Sequence, residues 1–204
     1  MPKLDYASDV RVEIVTTTFV ASGVPDGVHD LGRLLENLNN PTMSRQIELH
    51  RPAIRPLYRA TAQLPLDAPL LVRREQIIFA HFEGPHYTRG TVSAERVHAP
   101  VLLLAPPFQI QGMIARPTGT EAGGSLRTLM QSFFVVSNAL VYDADGNALG
   151  EGEQIIVNGA AMQMTCATSA HIGAAAAMPP SAHRAAAAID RSESDDERVP
   201  ARAA

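Results

Sequence analysis

A mainly β protein of the α+β class, made by tandem duplication of a β-β-α-β-β unit, is what three repeated features of this 204-residue sequence predict. Glu75-Gln76-Ile77-Ile78 recurs as Glu153-Gln154-Ile155-Ile156, and Phe19-x-x-x-Gly23 recurs as Phe108-x-x-x-Gly112. Leu31, Leu34, Leu35 and Leu38 share their spacing with Leu126, Leu129, Met130 and Phe133, the apolar stripe of a short amphipathic helix. These agreements run in the same order along the chain. One unit alone would be marginal, so the two are expected to pack with pseudo-twofold symmetry over one core.

The elements follow in order. Val10, Val12 and Ile14 alternate with Arg11 and Glu13, the period of a strand with one wet face. Phe19 to Val24 is a second β-prone run, closed by the turn residues Pro25-Asp26-Gly27. Asp30 is placed to cap the first helix, and Asn39-Asn40-Pro41 stops it. Ile47 and Leu49 open another strand, and a stretch punctuated by Pro52, Pro56, Pro65 and Pro69 leads to Leu70-Leu71-Val72. The Glu-Gln-Ile-Ile segment is then expected as the closing strand, to about Phe82.

In the second copy Val101–Leu104 is the matching first strand, and Phe108, Ile110, Gly112 and Ile114 alternate in the next. Ser125 can cap the second helix, and Asp143-Ala144-Asp145-Gly146-Asn147 makes the turn between the last two strands. The expected division is residues 8–83 for the first unit, 84–99 for a connector, 100–164 for the second unit and 165–204 for a tail. The tail is alanine-rich and charged, with too little apolar surface to offset its ordering entropy, so disorder is expected there.

From Arg11-Val12-Glu13-Ile14 through Phe19-x-x-x-Gly23, the leucine helix ending in Leu38-Asn39, and Ile47-Glu48-Leu49, the first copy resembles a small bacterial domain of unknown function. The resemblance covers about 50 residues and is looser in the second copy. It implies a short β-rich fold and brings no activity or site residue with it.

Composition sets bounds on function. Hydrophobic residues make up 46% and the formal net charge is −4, which argues against a general polyanion binder. The single cysteine, Cys166, excludes an intramolecular disulfide and fits a reducing cytoplasm. The N-terminus lacks the apolar run of a secretory signal, and the apolar stretches Val101–Ile110 and Leu129–Tyr142 are too short for a helical membrane span. A cytoplasmic protein without membrane contact is expected.

Several partial motifs have plainer explanations as well. His81, Glu83 and His86 form the most metal-like cluster, because His81 and Glu83 share a strand face and His86 could return across Gly84-Pro85. Their spacing matches no established ligand set. The Asp143 segment resembles half of a calcium loop, but Gly146 directly follows the second aspartate, whereas an EF-hand has an oxygen ligand at the fifth position and its glycine at the sixth. Glu75 and Glu153 would face each other across a pseudo-twofold axis, as paired carboxylates do in acid–base catalysis. No complete catalytic, cofactor or nucleotide signature exists, which argues against an enzyme. The sequence therefore favours a non-catalytic interaction or scaffold protein that self-associates or binds a protein partner. Metal binding or enzymatic chemistry at His81, Glu83 and His86 is the alternative. Nucleic-acid binding through Arg51, Arg55, Arg59, Arg73 and Arg74 is a weaker one.

Overall fold

Alternating apolar and polar residues dominate the chain, and a computed structural model places them in one eleven-stranded antiparallel sheet with one continuous α-helix among the described residues, Arg127 and Leu129 being helical as well. It describes residues 10–58, 63–83, 96–118, 127 and 129–167. The strands are β1 (Arg11–Val15), β2 (Phe19–Pro25), β3 (Gln46–Pro56), β4 (Leu64–Pro65), β5 (Leu70–Arg73) and β6 (Phe79–Glu83). They continue as β7 (Arg96–Ala105), β8 (Phe108–Pro117), β9 (Phe133–Tyr142), β10 (Ala148–Asn158) and β11 (Met164–Ala167). Their order across the sheet is β11-β7-β8-β9-β10-β6-β1-β2-β3-β4, and β5 also pairs with β3.

Helix α1 (Leu31–Asn39) forms where the leucine stripe predicts. The Asp30 side chain accepts a 2.7 Å bond from Arg33 N–H, so one orphan donor of the first turn is satisfied. Leu31, Leu34 and Leu38 are buried, each contributing about 1.5–3 kcal/mol by transfer from water. At the other end the Arg74 guanidinium donates to the carbonyls of Asn37, Leu38, Asn40 and Met43 at 2.9–3.1 Å. That one side chain ties the helix C-terminus to the segment after β5.

The strand pairs β2/β3 and β8/β9 carry bulges of the same make. Ser22 pairs with Ala53 and Val24 with His50, so Arg51 and Pro52 together oppose Gly23. Gln111 pairs with Leu140 and Met113 with Ser137, so Asn138 and Ala139 oppose Gly112. In each bulge one residue takes a left-handed backbone, Arg51 at φ 48° and Asn138 at φ 49°. The facing glycine is required by space: a Cβ on Gly23 would meet His50 O and Leu49 Cβ at 3.0 Å, and one on Gly112 would run into Val136 Cγ1. The Pro52 ring is tolerated inside β3 because a bulge interrupts the ladder there.

Two apolar clusters fill the molecule. One holds Val12, Ile14, Leu34, Leu49, Val72 and Phe82 with α1. The other holds Val101, Leu103, Ile110, Val136 and Val157. They exchange members: Phe133 and Ile156 sit in the first, whereas Val15, Val20, Ile78 and Phe79 sit in the second.

Several expectations are corrected. Glu75 and Gln76 are not in a strand but in a 3-10 turn, Arg74–Gln76, whereas Glu153–Ile156 lies inside β10. The shared tetrapeptide therefore occupies two different structural places. Arg127 and Leu129 are helical where a second helix is expected, but Phe133 opens β9 instead of ending that helix, and Ser125 and Leu126 lie outside the described residues. The expected connector is strand from Arg96 onward, because β8 pairs with it along its length. The expected tail begins in β11, where Met164–Ala167 pairs with Val101–Leu104, and residues 168–204 lie outside the described residues.

Candidate functional site

The side chains singled out for chemistry are dispersed. His81 lies on β6 between Glu13 of β1 and Ile155 of β10, half-buried, and its imidazole rests over Gly152. Glu83 is exposed opposite Arg11, and His86 is outside the described residues. Among the described residues no group of three or more His, Cys, Asp or Glu is placed to hold a metal ion. Glu75 and Glu153 lie toward opposite ends of the β6–β10 ladder and do not face each other; Arg73 Nη1 stands 3.5 Å from Glu75. The paired-carboxylate reading is thereby removed.

Asp143 accepts bonds from the N–H groups of Asp145 and Asn147 and from the Asn147 side chain, all within 2.9 Å. Its carboxylate is committed to closing the β9–β10 turn. Burial alone would raise its pKa, but the hydrogen bonds from Asn147, Asp145 and Gly146 outweigh that and hold it below the ordinary value.

The arginines are also separated in role. Arg74 caps α1, and Arg55 stands 3.5 Å from Glu13. Arg73 is beside Glu75, and Arg59 is outside the described residues. Arg51 remains exposed, at the rim of a depression of about 470 Å³ that His50, Pro52 and Pro65–Pro69 line. Among the described residues these arginines do not form one basic face.

What the structure does build is a seam and two edges. Along the seam β10 and β6 pair antiparallel, with Ile155 opposite His81, Ile156 opposite Ala80 and Val157 opposite Phe79. Two asparagines lock it. The Asn39 side chain donates to Phe133 O and accepts from Phe133 N–H, both at 2.8 Å, and so joins the end of α1 to the start of β9. The buried Asn158 side chain donates to Ile77 O at 2.8 Å and accepts from Ala160 N–H. Sequence reasoning missed both, since Asn39 was spent as a helix stop and nothing local marks Asn158.

The edges are β11 at one end of the sheet, and β4 with β5 at the other, both bonded to the outer side of β3. Each carries a large apolar side chain in solvent: Leu71 on β5 is 56% exposed and Met164 on β11 is 63% exposed. Among the described residues neither strand has a second neighbour in the sheet.

No helix among the described residues is long and apolar enough to cross a membrane. Comparison with protein-family models, curated proteins and solved structures finds no match for this chain.

Proposed function

We propose that the chain is a duplicated β-rich unit serving as a non-catalytic assembly protein, which self-associates or takes a protein partner through its open sheet edges. The observation that carries the reading is the presence of Leu71 and Met164 in solvent on strands that have one sheet neighbour each among the described residues. Exposed edges of this kind are templates for strand addition unless charge, proline or cover protects them. The described parts of β5 and β11 hold only Arg73 as a charged residue and no proline.

Duplication is supported by register and not by the tetrapeptide. Val12 pairs with Gly23 as Val101 pairs with Gly112. Leu49 pairs with Leu70 as Val136 pairs with Ile155, and Gln46 with Arg73 as Phe133 with Asn158. Arg74 N–H bonds Arg45 O as Gly159 N–H bonds Ser132 O, each at the start of a 3-10 turn. After those turns β6 returns to β1 and β11 returns to β7. Each half thus supports the same circuit, with the closing strand beside the first. The seam joins unlike strands, β6 of one half with β10 of the other, which favours a head-to-tail relation over a pseudo-twofold axis.

The test is solution mass by sedimentation velocity over a wide concentration range. Species heavier than one chain that grow with concentration are expected. A chain that stays monomeric throughout, and is unaffected by charge placed at Leu71 or Met164, overturns the reading.

A further inference from the structure

The seam inside the chain shows how the open edges can be filled. In the register above, β6 corresponds to β11 and β10 corresponds to β5. The seam joins β6 to β10, and among the described residues one strand of each kind, β11 and β5, has no second neighbour in the sheet. Resting on the duplicated-unit reading, we propose that a second copy of this chain docks its β11 antiparallel onto β5, repeating the seam between molecules.

The register is fixed by the 3-10 turns. Leu70, Leu71 and Val72 precede Arg74 as Ile155, Ile156 and Val157 precede Gly159. Met164, Thr165 and Cys166 follow their turn as Phe79, Ala80 and His81 follow theirs. Copying the seam sets Leu70 opposite Cys166, Leu71 opposite Thr165 and Val72 opposite Met164 of the second copy. The exposure values agree with this placement. Ile156 and Phe79 are 0% and 8% exposed in the filled seam, whereas their counterparts Leu71 and Met164 are more than half exposed.

The outer contact is the more polar of the two. Where the seam has Phe133, Val20 and Ile78, the corresponding edge positions are Gln46, Gln109 and Gln163. Less apolar area is available, so the contact between molecules is weaker than the one within the chain and reversible. Because it joins unlike strands, it does not stop at a symmetric dimer; it continues until a ring closes or a fibre grows.

Two single variants decide it. Leu71→Arg spoils β5 and Met164→Arg spoils β11, and both positions are exposed, so folding should be unchanged by circular dichroism and denaturation midpoint. Each variant alone is expected to be monomeric where the natural chain assembles. Mixed in equal amounts, they retain one intact β5 and one intact β11, and are expected to give a species of two chains and no larger. If only one substitution abolishes assembly, the contact joins like strands and the proposal is overturned, while self-association itself stands. If the natural chain never assembles, both fail. Register is read by Leu70→Cys, whose thiol would face Cys166 of a second copy. Oxidation with dissolved oxygen should cross-link it far faster than Leu71→Cys, which points to the other face. Equal cross-linking overturns the register.

Discussion

Leu71, on β5 antiparallel to β3, and Ile156, on β10 antiparallel to β9, each stand three residues ahead of a 3-10 turn, yet Ile156 is fully buried and Leu71 is 56% exposed. The difference comes from the neighbour and not from the residue. Ile156 has β6 across from it and the first apolar cluster beneath it, while Leu71 has β3 on one side and, among the described residues, no strand on the other. The stability of the seam therefore rests on groups whose removal has calculable effects.

Asn39→Ala removes both hydrogen bonds to the Phe133 backbone, leaving a partly buried N–H and carbonyl without that partner. The cost is about 1–3 kcal/mol, read from the midpoint of urea unfolding. Asn39→Asp keeps the acceptor for Phe133 N–H but sets a carboxylate against Phe133 O, so it is not expected to restore stability. A midpoint unchanged by Asn39→Ala would show that the seam does not depend on this clamp.

Gly159 and Gly150 make a matched pair. A Cβ on Gly159 would collide with Leu129 O and lie 2.7 Å from Ser132 O, and backbone atoms of this kind cannot rotate away. Gly159→Ala should cost about 3 kcal/mol, the upper end for overpacking, or more. Gly150 has nothing within 4 Å of the same construction. Gly150→Ala should be neutral or stabilising by about 0.5–1 kcal/mol, because alanine has less backbone freedom to lose. Thermal unfolding of the two variants side by side checks both.

Local pattern made much of this fold legible. The alternation of Val10, Val12 and Ile14, the Asp30 cap and the leucine stripe led to β1 and α1, since each signal acts within a few residues. The Phe-x-x-x-Gly spacing marks β2 and β8, each of which places its glycine opposite a bulge. Glu75-Gln76 misled because four letters do not distinguish a strand from a 3-10 turn. What decides there is Arg74, whose guanidinium reaches carbonyls more than thirty residues away in sequence. β11 was missed since Met164-Thr165-Cys166-Ala167 has no strong strand pattern of its own, and β7 supplies the edge that orders it. Of the metal-like cluster, His81 and Glu83 stand two apart on β6, half-buried and exposed, while His86 is outside the described residues.

Arg74→Lys tests that long-range tie. A lysine carries one ammonium with three donors and lacks the planar fork that reaches Leu38 O and Asn40 O on one side and Met43 O on the other. The variant should lose about 1–2 kcal/mol of stability, and amide exchange should quicken first in the last turn of α1 and in residues 40–45. Uniform quickening across the sheet would mean that Arg74 supports the whole fold and not this corner.

The pH dependence should contain a contribution from Asp143. Its folded pKa is depressed by the turn hydrogen bonds, so the stabilisation exists fully above the unfolded value of about 3.9 and is lost as pH falls through the folded value. Asp143→Asn removes the charged acceptor at every pH. The natural chain should therefore be the more stable at pH 6–7, with the gap constant there, and the gap should narrow below about pH 4 as the natural carboxyl takes up its proton. The turn is exposed, so solvent screening keeps the effect small, and added salt should leave it largely in place because hydrogen bonds within the turn carry it. Unfolding midpoints of both chains across that range give the answer, and a gap that widens on acidification would contradict the assignment.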